Sequence, residues 1–147
     1  MTTMRTNLRR NERGAALIEA AITIPIILLI AVGIFEFGRA YQTWQVLTNA
    51  AREGARAAVI TGSTDTDVTN RVRNYMKAGA LGNYGTAGIT IKRDVVLTGA
   101  DTASQIQIDY PFQFMVLNPV VRLIAPSDRK TGAPITMKSS VVMRNES

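Results

Sequence analysis

The stretch AALIEAAITIPIILLIAVGIFEF, residues 15–37, decides the fold of this 147-residue chain. Its only charged residues are Glu19 and Glu36. A helix of this length reaches about 34 Å, because each residue adds 1.5 Å, and the hydrocarbon core of a bilayer is about 30 Å thick. Pro25 lies inside the stretch and predicts a kink or a local loosening of the helix. The stretch therefore predicts a helix that spans a membrane.

A short basic segment precedes this stretch. Residues 1–14 have a formal charge of +3, which is half of the +6 of the whole chain. The charged side chains of this segment are Arg5, Arg9, Arg10, Glu12 and Arg13. Because basic residues beside an apolar span are retained in the cytoplasm, we expect a single pass with a cytoplasmic N-terminus.

A cleaved secretory signal is the competing interpretation of a basic segment before an apolar run. Gly38-Arg39-Ala40 loosely resembles the small-x-small cleavage site of such signals. However, the apolar run is longer than the usual 7–15 residues, Glu19 lies within it, and Glu36 stands close to the supposed cleavage site. These features favour a retained membrane anchor.

The composition excludes several kinds of chemistry. The chain has no His and no Cys, so it forms no Ser-His-Asp or Cys-His catalytic set, no thiolate or imidazole zinc site and no disulfide. Only 6% of the residues are aromatic, which leaves few rings on which the bases of a nucleic acid could stack. No pair of carboxylates has a spacing that indicates a hydrolase. We therefore expect a non-enzymatic protein with no catalytic residues, no metal, no cofactor, no nucleic-acid partner and no small-molecule substrate.

The helical pattern continues beyond the span to about Ile60, and Thr61-Gly62-Ser63 then ends it. One stripe along this helix has alternating spacings of four and three residues: Phe37, Tyr41, Trp44, Thr48, Ala51, Ala55 and Ala58. The small residues between 50 and 58 allow another backbone to approach closely. We expect this face to pack against the rest of the same chain, with packing between subunits as the alternative.

The remainder of the chain predicts a second helix and three strands. Helical spacing covers 65–80, and alternating apolar residues indicate strands at about 89–97, 106–114 and 135–143. Pro111 should confine the second strand to a sheet edge or mark a bulge. The apolar stretch 112–125 is too short for a second crossing.

The predicted fold class is α+β. A long N-terminal helix, transmembrane in its first half, packs by its outer half on a small antiparallel sheet, because three short strands cannot bury their apolar faces alone. The predicted organisation has four parts: a basic leader at 1–14, a transmembrane helix at 15–37, its extramembrane continuation at 38–62, and a small α+β domain at 63–147.

Glu19 requires an explanation because a carboxylate inside an apolar span is costly. One interpretation is a shallow side chain that reaches the cytoplasmic surface. The other begins at Gly14: cleavage after it would make Ala15 a new N-terminus with a free amine. In an assembled bundle, the Glu19 carboxylate could then pair with the amine of a neighbour, and such a pair would fix the axial register of the helices.

Residues 13–59 resemble the TadE-like family, the pseudopilins or minor pilins of the Tad/Flp pilus system. Gly14 followed by Glu19 and an apolar helix is also similar to the cleavage and assembly signature of type IV pilin precursors. Further positions in the resemblance are Pro25, Glu36-Phe37-Gly38-Arg39 and the run AAREGAR at residues 50–56.

The resemblance implies a pilin-like fold and a precursor that a prepilin peptidase cuts between Gly14 and Ala15. It also implies an inner-membrane anchor with a periplasmic C-terminal domain, other pilins or pseudopilins of a Tad/Flp pilus as partners, and a part in pilus assembly, with incorporation into the pilus as one outcome. The alternative function is a single-pass anchored periplasmic binding module that is neither processed nor built into a filament.

Overall fold

The computed structural model describes residues 8–96, 102–124 and 134–145. Within these ranges the elements are α1 (Leu8–Ala58), α2 (Asp65–Ala78), β1 (Gly88–Val96), β2 (Thr102–Phe112), α3 (Leu117–Ile124) and β3 (Ile135–Arg144). Their order and types confirm the α+β fold class. Residues 1–7 of the predicted leader and Leu97 of the predicted first strand lie outside the described residues.

Helix α1 is long enough to serve both a membrane and a folded domain. It has 51 residues, which corresponds to about 77 Å. It is helical without interruption through Pro25, and the kink stays a prediction. Side chains between 21 and 31 are all exposed in the isolated chain. Within the described part of the chain, α1 is the one helix long and apolar enough to cross a membrane.

The three strands form one antiparallel sheet with the order β1-β2-β3. The central strand β2 has alternating burial along its length. Ile106 lies at its centre, opposite Ile91 of β1 and Val141 of β3. Because both neighbours shield its backbone and α1 covers one face, β2 carries the largest share of the buried side chains of the sheet.

The prediction that Pro111 confines its strand to an edge was wrong for the strand as a whole, since β2 is central. Pro111 pairs with Thr136 of β3, whereas pairing with β1 ends at Asp109. At residue 111 the strand therefore has a neighbour on one side only. A residue without an N–H is tolerated there, because only one ladder of hydrogen bonds passes it.

The outer half of α1 packs on the sheet and on α2, as predicted. The buried core contains the small and aliphatic face of α1, three residues of α2 and the inward side chains of β2: Leu47, Ala50, Ala51, Ala55, Ala58, Val68, Val72, Met76, Ile106, Ile108, Tyr110 and Phe112. The alanine face is therefore covered within the same chain, which confirms the intramolecular packing.

The lower part of the predicted stripe does not belong to the buried face of the helix. Phe37, Tyr41 and Trp44 are exposed, whereas Thr43 and Leu47 are buried. At 3.6 residues per turn, the buried face of this segment lies about a quarter of a turn around the helix from Phe37. The spacing identified a helix correctly, but tertiary packing selected a different face.

Close approach between α1 and α2 depends on Gly54. A Cβ atom at residue 54 would lie 2.4 Å from Cγ2 of Val72 and 3.5 Å from Cγ2 of Ile106. Val72 is fully buried, and its β-branched side chain is restricted at χ1, so its methyl group does not move aside easily. The absence of a side chain at residue 54 therefore sets the distance between the two helices.

The turn between α1 and α2 is held by Arg93, which lies at a bulge of β1. Its Nη1 donates to the carbonyl oxygen of Ala58 at 2.9 Å, its Nη2 donates to the carbonyl oxygen of Ser63 at 2.9 Å, and its Nε donates to Asp65 at 2.8 Å. The guanidinium thus satisfies a carbonyl at the C-terminus of α1 and neutralises a carboxylate in the first turn of α2.

A capping box starts α2. Thr64 accepts a hydrogen bond from the backbone N–H of Asp67, and the Asp67 carboxylate accepts from both the hydroxyl and the backbone N–H of Thr64. These hydrogen bonds lower the pKa of Asp67, the side-chain bond more than the backbone bond. The stabilisation is therefore present above the ordinary pKa of an aspartate and is lost as the pH falls through the lowered value.

Substitution Gly54→Ala should lower the free energy of unfolding by about 1–3 kcal/mol, because the added methyl group overpacks the contact with Val72. Thermal unfolding of the detergent-solubilised full chain measures the change. Gly38→Ala on the same helix is the matched control, since a Cβ there meets nothing within 4 Å. The control should be neutral or should stabilise by up to about 1 kcal/mol. Equal effects at the two positions would contradict the close approach.

Candidate functional site

The predicted processing and assembly residues all lie on the exposed half of α1. Gly14, Ala15 and Glu19 are exposed, as is Pro25, and a Cβ at residue 14 would meet nothing within 4 Å. Ala15 and Glu19 are four residues apart, so they lie one above the other on the same face of the helix. Cleavage after Gly14 stays a prediction.

Glu19 has no ion-pair partner among residues 8–96, 102–124 and 134–145. Its neighbours Leu17, Ile18 and Ile22 are exposed aliphatic side chains suited to lipid or to another apolar helix. A carboxylate at this depth costs up to about 2.5–3.5 kcal/mol near the bilayer centre and less towards the edge. A partner for Glu19 would therefore have to come from outside the described residues.

A second carboxylate, Glu36, lies at the opposite end of the span and is completely buried. Its Oε1 accepts hydrogen bonds from the backbone N–H groups of Val116 and Leu117, the latter at 3.4 Å. Its Oε2 accepts a hydrogen bond from Nη2 of Arg39 at 3.2 Å. One carboxylate thus joins α1 to a segment some 80 residues later in the chain.

The contact between Glu36 and residues 116 and 117 is favourable because these residues lie at the N-terminus of α3. Leu117 is the first residue of α3, and the first N–H groups of a helix have no partner within the helix. The Glu36 carboxylate accepts hydrogen bonds at this end and places its negative charge at the positive end of the helix dipole. Glu36 therefore acts as a cap for α3 that is supplied by a different helix.

Arg39 completes the arrangement. Its Nη2 also donates to the carbonyl oxygen of Gln113, and its guanidinium carbon lies 4.6 Å from the centre of the Phe112 ring. Phe112 and Phe114 are themselves in edge-to-face contact, with ring centres 5.3 Å apart. We call Glu36, Arg39, Phe112, Gln113 and Val116 the boundary latch, because it ties the end of β2 and the start of α3 to α1 where the apolar run ends.

The latch was not predicted from the sequence. In the sequence, Glu36 is a charge near the end of the apolar stretch, and Glu36 and Arg39 are both part of the family resemblance. The available local signal was their spacing of three residues, which places a carboxylate and a guanidinium on one side of a helix. Nothing in the sequence around residue 36 indicates that its main hydrogen-bond donors are at residues 116 and 117.

An aromatic surface lies on another side of α1, at the same level along the helix as the boundary latch. Phe37, Tyr41 and Trp44 are exposed, and the rings of Tyr41 and Trp44 are 6.2 Å apart. Tyr and Trp are enriched where a membrane helix leaves the hydrocarbon region. The position of these rings agrees with an interface at about residues 37–44.

Replacement of the buried carboxylate tests the latch. Glu36→Ala should lower the free energy of unfolding by about 2–3 kcal/mol, because it removes hydrogen bonds to a charged group and leaves partly buried N–H donors without a partner. Glu36→Gln should lose less, since its amide oxygen can still accept from Val116. Chemical denaturation of the detergent-solubilised full chain gives both values.

Glu53→Ala is the matched control on the same helix. Glu53 forms an ion pair with Arg71 at 2.9 Å, but the Arg71 side chain is mostly exposed. Exposed ion pairs contribute about 0–1 kcal/mol. A loss at Glu36 no larger than the loss at Glu53 would show that the latch adds nothing to stability.

Within the described residues, no group of three or more Asp or Glu side chains could hold a metal ion.

Comparison with known families gives a match to the family described as TadE-like protein over residues 14–56. No curated protein and no solved structure matches the chain. The matched segment begins at Gly14, contains Glu19, Glu36 and Arg39, and ends in the small-residue face that packs on α2. It covers less than one third of the chain and lies entirely within α1. The resemblance of this helix is thereby confirmed: residues 14–56 form a TadE-like domain.

Proposed function

We propose that this chain is a membrane-anchored, non-enzymatic pseudopilin or minor pilin that takes part in the assembly of a Tad/Flp pilus. The observation that supports this most directly is the coincidence of the TadE-like domain with α1. That helix contains an apolar stretch whose side chains between residues 21 and 31 are all exposed in the isolated chain. TadE-like proteins are pilus components rather than enzymes, and an apolar N-terminal helix fits a membrane-anchored, pilus-associated protein.

The proposed placement is a single pass through a bacterial inner membrane, with residues 1–14 cytoplasmic and the domain from residue 63 onward periplasmic. The basic segment before the span supports this orientation. The proposed partners are a prepilin peptidase, which would cut between Gly14 and Ala15, and other pilins or pseudopilins, whose helices would pack beside α1.

The proposed role of Glu19 is to fix the axial register between neighbouring helices. In a bundle of such helices, a carboxylate surrounded by aliphatic side chains is stabilised only where a cation of a neighbour lies beside it. The new amine of Ala15 on an adjacent subunit is the proposed cation. Any other axial alignment leaves the carboxylate unpaired in a medium of low dielectric constant, so a single alignment is selected.

Processing can be tested by intact mass measurement and N-terminal sequencing of the membrane-extracted chain, expressed with and without its prepilin peptidase. We expect a mature chain that begins at Ala15 only when the peptidase is present. Gly14→Leu should abolish the cut, whereas Gly38→Leu, at another position open to a side chain, should leave it unchanged. A chain that still begins before Arg13 in the presence of the peptidase would favour the unprocessed anchored binding module.

The role of Glu19 can be tested separately from insertion. Glu19→Ala and the neutral isostere Glu19→Gln should both remain in the membrane after alkaline extraction, and both should lower the amount of assembled pilus by about tenfold or more, since a loss of 1.4 kcal/mol already corresponds to a factor of ten. Thr23→Ala, one turn further along the helix, is the matched control and should assemble normally. Normal pilus production by both Glu19 variants would remove its proposed role.

A further inference from the structure

An open groove of about 850 Å³ lies beside the boundary latch. One wall is α1 at Arg39, Gln42 and Thr43, and the other walls are the loop after α2, residues 110–115 and part of α3 up to Arg122. On α1, these three residues follow Phe37 by about 3–9 Å along the helix axis. The headgroup layer outside the hydrocarbon core is about 5–8 Å thick on each side of a bilayer. If the span ends at residue 37, the groove opens at the depth of the lipid headgroups.

The charge of the groove favours an anion. Arg39 and Arg122 both line it, and none of the described residues that line it is Asp or Glu. The Glu36 carboxylate lies behind Arg39, where it is completely buried, and does not line the groove. Arginine presents several N–H donors in a plane, an arrangement that suits the oxygen atoms of a phosphate.

Arg39 still has hydrogen-bonding capacity. Its contacts with Glu36 and with the carbonyl of Gln113 are both made through Nη2. Its Nε is buried and has no hydrogen-bond partner among the described residues. The Arg39 side chain is 30% exposed, so an oxyanion in the groove would meet its accessible terminal N–H groups rather than the buried Nε.

The apolar part of the lining distinguishes a lipid from a free phosphate ion. Phe114 and Met115 form part of the groove, and Met115 is 61% exposed although it is a large apolar side chain. A free inorganic ion gains nothing from such a surface, whereas the glycerol and upper acyl region of a lipid would cover it. Basic pockets beside membrane helices are sites of this kind.

We propose that the groove binds the phosphate of an anionic phospholipid in the leaflet that faces the folded domain, with Arg39 and Arg122 as its ligands. The proposal rests on the membrane anchor of the proposed function, but it does not depend on which side of the membrane the domain occupies. The bound headgroup fixes the height of the domain above the bilayer, because the groove is built on the helix that crosses it.

The test uses the detergent-solubilised full chain and native mass spectrometry with added phosphatidylglycerol, phosphatidylcholine or inorganic phosphate. We expect retention of phosphatidylglycerol in preference to phosphatidylcholine, and no retention of inorganic phosphate. Arg122→Gln should weaken phosphatidylglycerol binding about fivefold, which is the usual contribution of one basic side chain at an anionic lipid surface. Arg52→Gln, on the aqueous part of α1, is the matched control and should bind as the unmodified chain does.

Two further measurements keep the outcomes distinct. Circular dichroism of Arg122→Gln establishes that the variant is folded, and Arg39→Gln, which also alters the latch, serves as the second variant. Equal phosphatidylglycerol binding by Arg122→Gln and Arg52→Gln would overturn the proposal, as would binding of inorganic phosphate with the same dependence on Arg122 but no binding of lipid. Release of all variants from membranes by alkaline extraction would instead count against the membrane anchor itself.

Discussion

The structure depends on a carboxylate that is buried where the apolar part of α1 ends. Glu36 has no access to solvent, so its charge has to be balanced by groups of the protein. Those groups are the backbone N–H donors at the start of α3 and the guanidinium of Arg39. Because the donors lie some 80 residues further along the chain, satisfying one side chain brings the end of β2 and the start of α3 back to α1. The domain is thereby fixed to its anchor at the level of the boundary and not only through the packing above it.

A second constraint acts further along the same helix. Between residues 50 and 58, alanines and Gly54 remove side-chain bulk, so α2 and the sheet come close to the helix backbone. The latch and this small-residue face together make the outer half of α1 a wall of the domain. Among the described residues, the side chains of the inner half between 21 and 31 are all exposed in the isolated chain. One helix therefore has one half for the domain and one half for lipid or for other helices, which is the division that a pilus-associated anchor requires.

Much of the fold could be predicted from local pattern, because hydrophobic periodicity and capping residues act over a few positions. The span, α2, the three strands and the intramolecular burial of the alanine face were all found in this way. Local pattern does not predict which face of a helix is buried when residues far away in sequence pack against it. Phe37 fits a helical stripe, yet the buried face is the one that contains Leu47. The capping of α3 by Glu36 and the hydrogen bonds of Arg93 to the turn between α1 and α2 join residues far apart in sequence. Such pairs cannot be recognised from the sequence around either residue. Gly14, Ala15 and Glu19 could be predicted only as a motif, since their proposed partners are other molecules.

The central claim is that the Glu36 carboxylate binds the first N–H groups of α3. Amide hydrogen exchange of the full chain in lipid nanodiscs, followed by NMR at Val116 and Leu117, measures this contact most directly. The account predicts that both amides exchange slowly, as the paired amides of β2 do, although Val116 lies outside any helix or strand. Exchange of both amides at the rate of a freely exposed loop would contradict it.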